Sequence, residues 1–224
     1  LAMDRADIQY PVKELCKAMS APTLGDKKKL KRLGRYLIGK PRMVQEFEWQ
    51  GSANEVHVYS DSDWAGDRQS GKSTSGGAIF VGGHLVKSWS STQKTIALSS
   101  GEAELTAVVK ATCEGLGVLS LAQDWGDDKS LTVFADSSAA LGVVRRKGAG
   151  RLRHVRVAML WVQDVREERG VKYEKVAGKE NPADVMTKNI NYNSLVAQCE
   201  RLKLKAEAGR ASKAAKVDKG ANIE

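Results

Sequence analysis

The stretch "VYSDSDWAGD", residues 58–67, constrains the fold most, because a short alternation of apolar and polar residues runs directly into three carboxylates. Alternation with a period of two is typical of a β-strand with one buried face. Asp61, Asp63 and Asp67 repel one another at neutral pH unless they are solvated, paired with cations or bound to a metal ion. The stretch therefore predicts a strand whose end is either a polar turn or a cation site.

The pattern downstream predicts an α/β domain. "GGAIFVGGHLVKSWSS" indicates two further strands around a turn at Gly82 and Gly83, and so a meander of three strands. A capping box of Ser99 and Glu102 begins a long helix. After this helix, "LTVFAD" predicts a fourth strand, and residues 137–146 predict a helix. A helix near residues 154–169 leads into a fifth strand, "GVKYEKV". The segment "NPADVMTKN" begins a last helix, with Pro182 in its first turn. This order predicts a five-stranded mixed sheet flanked by helices.

The segments on either side of this domain differ from it in pattern. Residues 1–50 lack strand alternation and are predicted to be helical, whereas residues 55–192 form the predicted central domain. Residues 193–224 are predicted to hold one more helix and then a disordered basic tail that is poor in large apolar residues. Since the chain begins with Leu1, we expect it to be a fragment of a longer polypeptide.

Composition restricts the class of partner and the compartment. Lys and Arg total 36 against 27 Asp and Glu, a formal charge of +9 that favours an anionic partner such as nucleic acid. The three cysteines lie far apart in sequence, which argues against a zinc site or a disulfide framework: Cys16, Cys113 and Cys199. The sequence has no apolar run of about 18 residues and no secretory signal pattern, so neither a membrane span nor secretion is predicted.

Carboxylates recur at the ends of predicted strands and the starts of predicted helices. Asp61 ends the first strand, Asp136 ends the fourth, and Asp184 opens the last helix. In an open α/β sheet such positions line one crevice, where oxygen ligands would suit magnesium ions. The helix after the meander offers both Glu102 and Glu104, and its phase does not choose between them. Each acid taken singly could instead form a turn or a helix cap.

Four motifs in this order resemble the ribonuclease H domain at the end of copia-type, Pseudoviridae-like, retrotransposon Pol polyproteins: "YSDSDWAGDRQSGKSTSGGAIFVGG", "WSSTQKTIALSSGEAEL", "VFADSSAAL" and "NPADVMTK". The resemblance extends over residues 56–190. The preceding residues 1–40 resemble the helical end of the reverse transcriptase that comes before this domain in such elements. The polymerase aspartate motif is absent, so this chain is not a polymerase by itself.

The resemblance implies a ribonuclease H fold and metal-dependent hydrolysis of the RNA strand of RNA–DNA hybrids during reverse transcription. It implies two Mg²⁺ ions, with Mn²⁺ as an alternative, and four carboxylates that act as catalytic groups and metal ligands: Asp61, Glu104, Asp136 and Asp184. Glu104 fits the family pattern because an apolar residue and an alanine follow it, while Asp63 and Glu102 are the alternatives. The implied partners are the hybrid and the remainder of the Pol polyprotein, without a membrane. The implied location is a cytoplasmic retrotransposon particle, or the nucleus.

Neutral and basic side chains near the acids are candidates for substrate binding. RNA differs from DNA by its 2′-hydroxyl, which four serines could recognise through hydrogen bonds: Ser73, Ser75, Ser99 and Ser100. The basic stretch from Arg145 and Arg146 through Lys147, Arg151 and Arg153 could hold phosphates, and a solvated loop is the equal alternative.

Two further residues near the motifs have competing interpretations. Trp64 could stack on a base, but a core position is the favoured interpretation. His154 stands where family members tend to have Lys-His followed by an acidic residue, and since "RHVRV" departs from that pattern, we interpret this imidazole as structural.

A second functional hypothesis is an inactive domain that binds or tethers a hybrid while another enzyme works, because a fold alone does not guarantee activity. The complete set of four acids argues against such a decayed domain. Cleavage of the hybrid in the presence of magnesium would discriminate between the two hypotheses.

Overall fold

The computed structural model describes residues 2–148, 150 and 157–209. At its centre is a five-stranded sheet of order β4-β3-β2-β5-β6. These strands are β2 (Glu55–Asp63), β3 (Thr74–Val81), β4 (His84–Thr92), β5 (Ser130–Ala135) and β6 (Lys172–Lys175). The first three form an antiparallel meander, while β5 runs parallel to β2 and β6 parallel to β5. The predicted mixed sheet and its meander are therefore confirmed.

Helices cover one face of the sheet. They are α3 (Ser100–Asp124), α4 (Ser138–Arg145) and α5 (Val157–Arg169). Leu105 and Val108 of α3 are fully buried against Val58 and Val133 of the two central strands. α3 is long and apolar enough to cross a membrane by length and composition alone, but this contact with the sheet is that of a core helix.

The opposite face of the sheet is covered by segments from both ends of the described chain. α1 (Gln9–Lys17) comes before the sheet and contacts β4, and α6 (Tyr192–Arg201) follows the sheet. α2 (Leu24–Gly39) packs on α1 and has no buried residue. The core on this face includes Phe80, Leu85, Met186, Leu202 and Leu204. Residues outside the predicted central domain thus complete its packing, while the predicted boundaries of the three segments stay a prediction.

A two-stranded sheet was missing from the prediction. β1 (Arg42–Gln45) pairs antiparallel with β7 (Leu204–Glu207), inside segments predicted to be helical or disordered. Strands of four residues give too little alternation for recognition, and these two pair between opposite ends of the described chain. The rest of the predicted basic tail, residues 210–224, lies outside the described residues.

Two predicted helix starts also differ in detail. Ser99 caps α3 by accepting a hydrogen bond from the Glu102 amide, but the Glu102 carboxylate accepts from the amide of Leu98 at 2.8 Å, one residue earlier than in a capping box. The predicted last helix at Pro182 is a short 3₁₀ turn, Pro182–Met186, and α6 follows separately. A turn of this kind suffices to present Asp184 beside the sheet.

Candidate functional site

Three acidic side chains meet at one end of the sheet. Asp61 comes from β2, Glu104 from the beginning of α3, and Asp136 directly follows β5. One carboxylate oxygen of each lies within 4.8 Å of the others. Because β2 and β5 are adjacent and parallel, their carboxyl ends lie at the same edge of the sheet, where α3 also begins. The structure thus brings together three of the four predicted acids, which we call the acidic trio.

The surroundings of the two glutamates decide which of them belongs to the trio. Glu104 is only 9% exposed, and its Oε1 accepts a hydrogen bond from the Ser62 amide at 3.2 Å. Its Oε2 is buried and has no hydrogen-bond partner among the described residues. Glu102 points instead to the Leu98 amide. The geometry therefore places Glu104 and not Glu102 in the trio, while the role of Glu104 as a ligand stays a prediction.

Asp184 is connected to the trio through two neighbours in its own segment. The Lys188 Nζ lies 2.7 Å from Asp184 Oδ1 and 3.8 Å from Asp61 Oδ2. The Thr187 hydroxyl donates a hydrogen bond to the same Asp61 oxygen. Burial, together with the charge of Asp61, raises the pKa of Asp184 to about 6. Asp184 therefore lies beside the trio as an additional, cation-paired acid.

The electrostatics of the trio are those of crowded, dehydrated anions. Burial raises the pKa of Glu104 to about 9, and the charges of Asp61 and Asp136 add to this rise. Burial and Asp61 also raise the pKa of Asp136. All the ligand atoms that the trio offers are carboxylate oxygens, and the buried Glu104 Oε2 lacks a hydrogen-bond partner among the described residues. The trio therefore fits a hard divalent cation such as Mg²⁺.

We expect Glu104→Gln to raise the thermal stability of the metal-free protein, increasingly so as the pH rises. The folded protein holds the Glu104 proton up to a pKa of about 9, against an ordinary value of 4.5. The contribution of protonated Glu104 to the free energy of unfolding is therefore fully present below about pH 4.5 and is lost as the pH rises toward 9. The measurement is Tm in EDTA at pH 5 and pH 9 for both proteins. A difference in Tm that does not grow with pH would contradict this prediction.

The other two aspartates at the end of β2 have local roles. The Asp67 carboxylate accepts hydrogen bonds from the amides of Gln69 and Ser70 and pairs with Lys17 at 3.3 Å. Such contacts are those of a turn-forming aspartate. Asp63 is partly buried, and this burial raises its pKa. Neither carboxylate belongs to the trio.

The four candidate serines fall into two environments. Ser73 and Ser75 are buried, where the Ser73 hydroxyl accepts from the Ala65 amide and the Ser75 hydroxyl accepts from Gln93 Nε2 at 2.9 Å. Ser99 caps α3, and Ser100 is exposed at its first position. Contact with substrate stays a prediction for all four.

The predicted basic stretch is described only in part. Arg145 is exposed, and its guanidinium donates to the Tyr173 carbonyl at 3.1 Å, while Arg146 is half-buried. Phosphate binding by these two residues stays a prediction. Three residues of the earlier interpretation lie outside the described part of the chain: Arg151, Arg153 and His154.

Trp64 is not a core residue, so the favoured interpretation was wrong. Its side chain is 48% exposed, and its Nε1 donates to the Ala97 carbonyl at 3.0 Å. Trp64 directly follows β2, where the chain leaves the sheet, and one hydrogen bond holds the indole at the surface. This position keeps an aromatic face available next to the end of β2.

Sequence reasoning missed the groups that hold the acids in place. Asn181 is fully buried, donates to the Ser60 carbonyl at 2.8 Å and accepts from the Ala183 amide. It thereby ties the segment of Asp184 to β2. Thr187 and Lys188 contact the acids directly. All three lie within the motif "NPADVMTK", residues 181–188, where the spacing of four between Asp184 and Lys188 could have indicated an ion pair.

Comparison with known proteins relates the chain to a group of polyproteins. No family model matches it. It is 31% identical over 195 residues to the retrovirus-related Pol polyprotein from transposon RE1 of Arabidopsis thaliana, covering 85% of this chain and 13% of that protein. It is 29% identical over 191 residues to the corresponding polyprotein from transposon TNT 1-94 of Nicotiana tabacum, covering 84% of this chain and 14% of that protein. The chain thus spans about an eighth of the length of the curated relatives it matches.

Solved structures give a partial match. The structure of LC11-RNase H1, isolated from compost by a metagenomic approach, is similar to this one at 19% sequence identity and a TM-score of 0.43. The aligned part covers 60% of this chain and 93% of LC11-RNase H1. The fold itself is defined by the strand order and by the packing of the helices on the sheet.

Proposed function

Over most of its length the chain is homologous to retrovirus-related Pol polyproteins of plant transposons, and on that premise we propose that it is a ribonuclease H that hydrolyses the RNA strand of RNA–DNA hybrids. The observation that supports this most directly is the acidic trio of Asp61, Glu104 and Asp136. A buried trio with an unpartnered oxygen is costly to maintain unless a ligand compensates it. Metal-dependent phosphodiester hydrolysis would provide that compensation.

The acids would divide into two overlapping cation sites. Asp61, Glu104 and Asp136 would hold one Mg²⁺, and Asp61 with Asp184 would hold another, with Mn²⁺ as a substitute. Bound there, the ions would supply an activated water for attack on phosphorus and would stabilise charge on the leaving 3′ oxygen. Thr187 fixes the orientation of Asp61 through its hydrogen bond, so the shared ligand needs little rearrangement to bind.

Recognition of the hybrid would depend on the polar and aromatic groups around the trio. A 2′-hydroxyl and the helical shape distinguish RNA from DNA, so hydrogen-bonding groups are needed near the acids. Ser99 and Ser100 precede Glu104 by about one turn of α3, and the half-exposed Trp64 follows β2. These groups are our candidates for direct contact, whereas the buried Ser73 and Ser75 would act by supporting the end of β2 and β3.

We also propose the setting in which this activity would be used. The remainder of a Pol polyprotein would be the protein partner, since the chain covers 13% of its relative. The activity would remove RNA from hybrids made by reverse transcription, in a cytoplasmic particle or the nucleus. Arg145 and Arg146 are our candidates for holding phosphates of the hybrid, and such binding would weaken as the salt concentration rises.

The proposal is tested with a hybrid labelled on its RNA strand, incubated with the chain in Mg²⁺ or EDTA. We expect cleavage of RNA in Mg²⁺, none in EDTA, and none of duplex DNA under the same conditions. An Asp136→Asn protein purified identically controls for contaminating nuclease. Equal cutting of duplex DNA would exclude a ribonuclease H. Binding of hybrid without any Mg²⁺-dependent cleavage would favour the tethering domain.

A further inference from the structure

Lys188 places a positive charge inside the acidic centre. Its Nζ lies 2.7 Å from Asp184 Oδ1 and 3.8 Å from Asp61 Oδ2, and 42% of its side chain is exposed. Asp61, by contrast, is only 2% exposed. Lys188 thus reaches a buried carboxylate from a position that keeps a path to solvent.

The two sides of Asp61 differ in how their negative charge is compensated. On the side of Asp184, the hydroxyl of Thr187 and the ammonium of Lys188 both contact Asp61 Oδ2. On the side of Glu104, neither Glu104 nor Asp136 forms an ion pair with a lysine or arginine among the described residues, and the buried Glu104 Oε2 has no hydrogen-bond partner there. The negative charge on the Glu104 side is therefore uncompensated, whereas on the Asp184 side the Lys188 ammonium already provides a cation.

The charge of Lys188 acts on more than its two closest neighbours. Burial raises the pKa of Glu104, Asp136 and Asp184, and the Lys188 ammonium opposes that rise for all three. An exposed ion pair would contribute little, but charges interact more strongly where carboxylates are partly removed from water. Lys188 neutralises part of the charge that a metal ion would otherwise have to neutralise.

We propose that, before substrate binds, the Lys188 ammonium occupies the place of the second divalent cation beside Asp61 and Asp184. One ion then binds at the acidic trio, and a second binds only after Lys188 has moved away. This inference rests on the proposed function, because metal-dependent hydrolysis is what would use a second ion. The phosphate of a bound hybrid offers the displaced ammonium a new anionic partner, and the flexible lysine stem can reach it without a change in the backbone.

The proposal is tested by counting Mn²⁺ ions bound to the full chain in the absence of nucleic acid, by electron paramagnetic resonance of free Mn²⁺ and by calorimetry. We expect about one ion for the wild type and about two for Lys188→Gln and Lys188→Ala. Lys188→Arg, which keeps the charge, is expected to bind about one. Lys87→Gln is the matched control, because it removes the same charge together with an ion pair to Glu114 elsewhere on the surface.

Each outcome decides for or against the role of Lys188. An unchanged stoichiometry in both neutral variants, with Tm showing that they are folded, would overturn it. Two ions bound to the wild type without nucleic acid would overturn it as well. Hybrid cleavage by the wild type is measured separately, so the proposed function can hold while this inference fails. Failure of the wild type to bind any Mn²⁺ would overturn both.

Discussion

Glu104→Gln is expected to abolish Mg²⁺-dependent cleavage of the RNA strand of a hybrid, lowering its rate by at least about 100-fold. The amide has nearly the shape of the carboxylate, and its oxygen can still accept the hydrogen bond of the Ser62 amide. The second oxygen, which has no partner among the described residues, would be replaced by an NH₂ group. Since an NH₂ group donates hydrogen bonds and does not bind Mg²⁺, the cation site would be lost. Initial rates at saturating Mg²⁺ measure the effect.

Glu102→Gln is the matched control for this experiment, with the same chemical change two residues away on the same helix. Its side chain accepts a hydrogen bond from the Leu98 amide, which a glutamine oxygen can also accept. We therefore expect cleavage to remain within a few-fold of the wild type. If Glu102→Gln loses activity and Glu104→Gln keeps it, Glu102 and not Glu104 is the glutamate that cleavage requires.

Gly76→Ala is expected to lower both stability and activity, because the segment that carries Asp184 crosses directly over this glycine. Gly76 lies opposite Asp61 on β3. A Cβ there would lie 2.7 Å from Met186 Cβ and from Thr187 Cγ2, and 3.0 Å from the backbone oxygen of Ala183. Overpacking of this kind costs about 1–3 kcal/mol. In a domain of this size the Tm would fall by about 2–12 °C.

Activity would fall with stability in Gly76→Ala because the displaced segment carries Thr187 and Lys188 as well as Asp184. The control is Gly117→Ala on α3, where an added Cβ meets nothing within 4 Å. At that helical position alanine is expected to be neutral or to stabilise by about 0.5–1 kcal/mol. Differential scanning calorimetry and hybrid cleavage are measured for both variants. A Gly76→Ala protein with the Tm and rate of the wild type would show that the close approach is not maintained in solution.

The pattern of the sequence was sufficient to predict the central sheet. Alternation marked β2, β3 and β4, and the Gly82–Gly83 turn joined two of them. Helical spacing marked α3, and Ser99 caps it as predicted. These features are local, since strand and helix periods are set by residues near one another in the chain. The same locality explains the failures at β1 and β7, which are too short to show a period and pair across most of the chain.

Sequence alone determined that acids stand at the ends of strands and the starts of helices, and a resemblance selected four of them. Only the tertiary structure decided which oxygen atoms approach one another. Glu102 and Glu104 are the same type of residue and stand two positions apart, yet only Glu104 lies in the trio with Asp61. The positions of Lys188 beside the acids and of Trp64 at the surface likewise follow only from the tertiary structure. The physical reason is that helix phase and turn geometry relative to the sheet depend on the packing of distant segments, which no local period encodes.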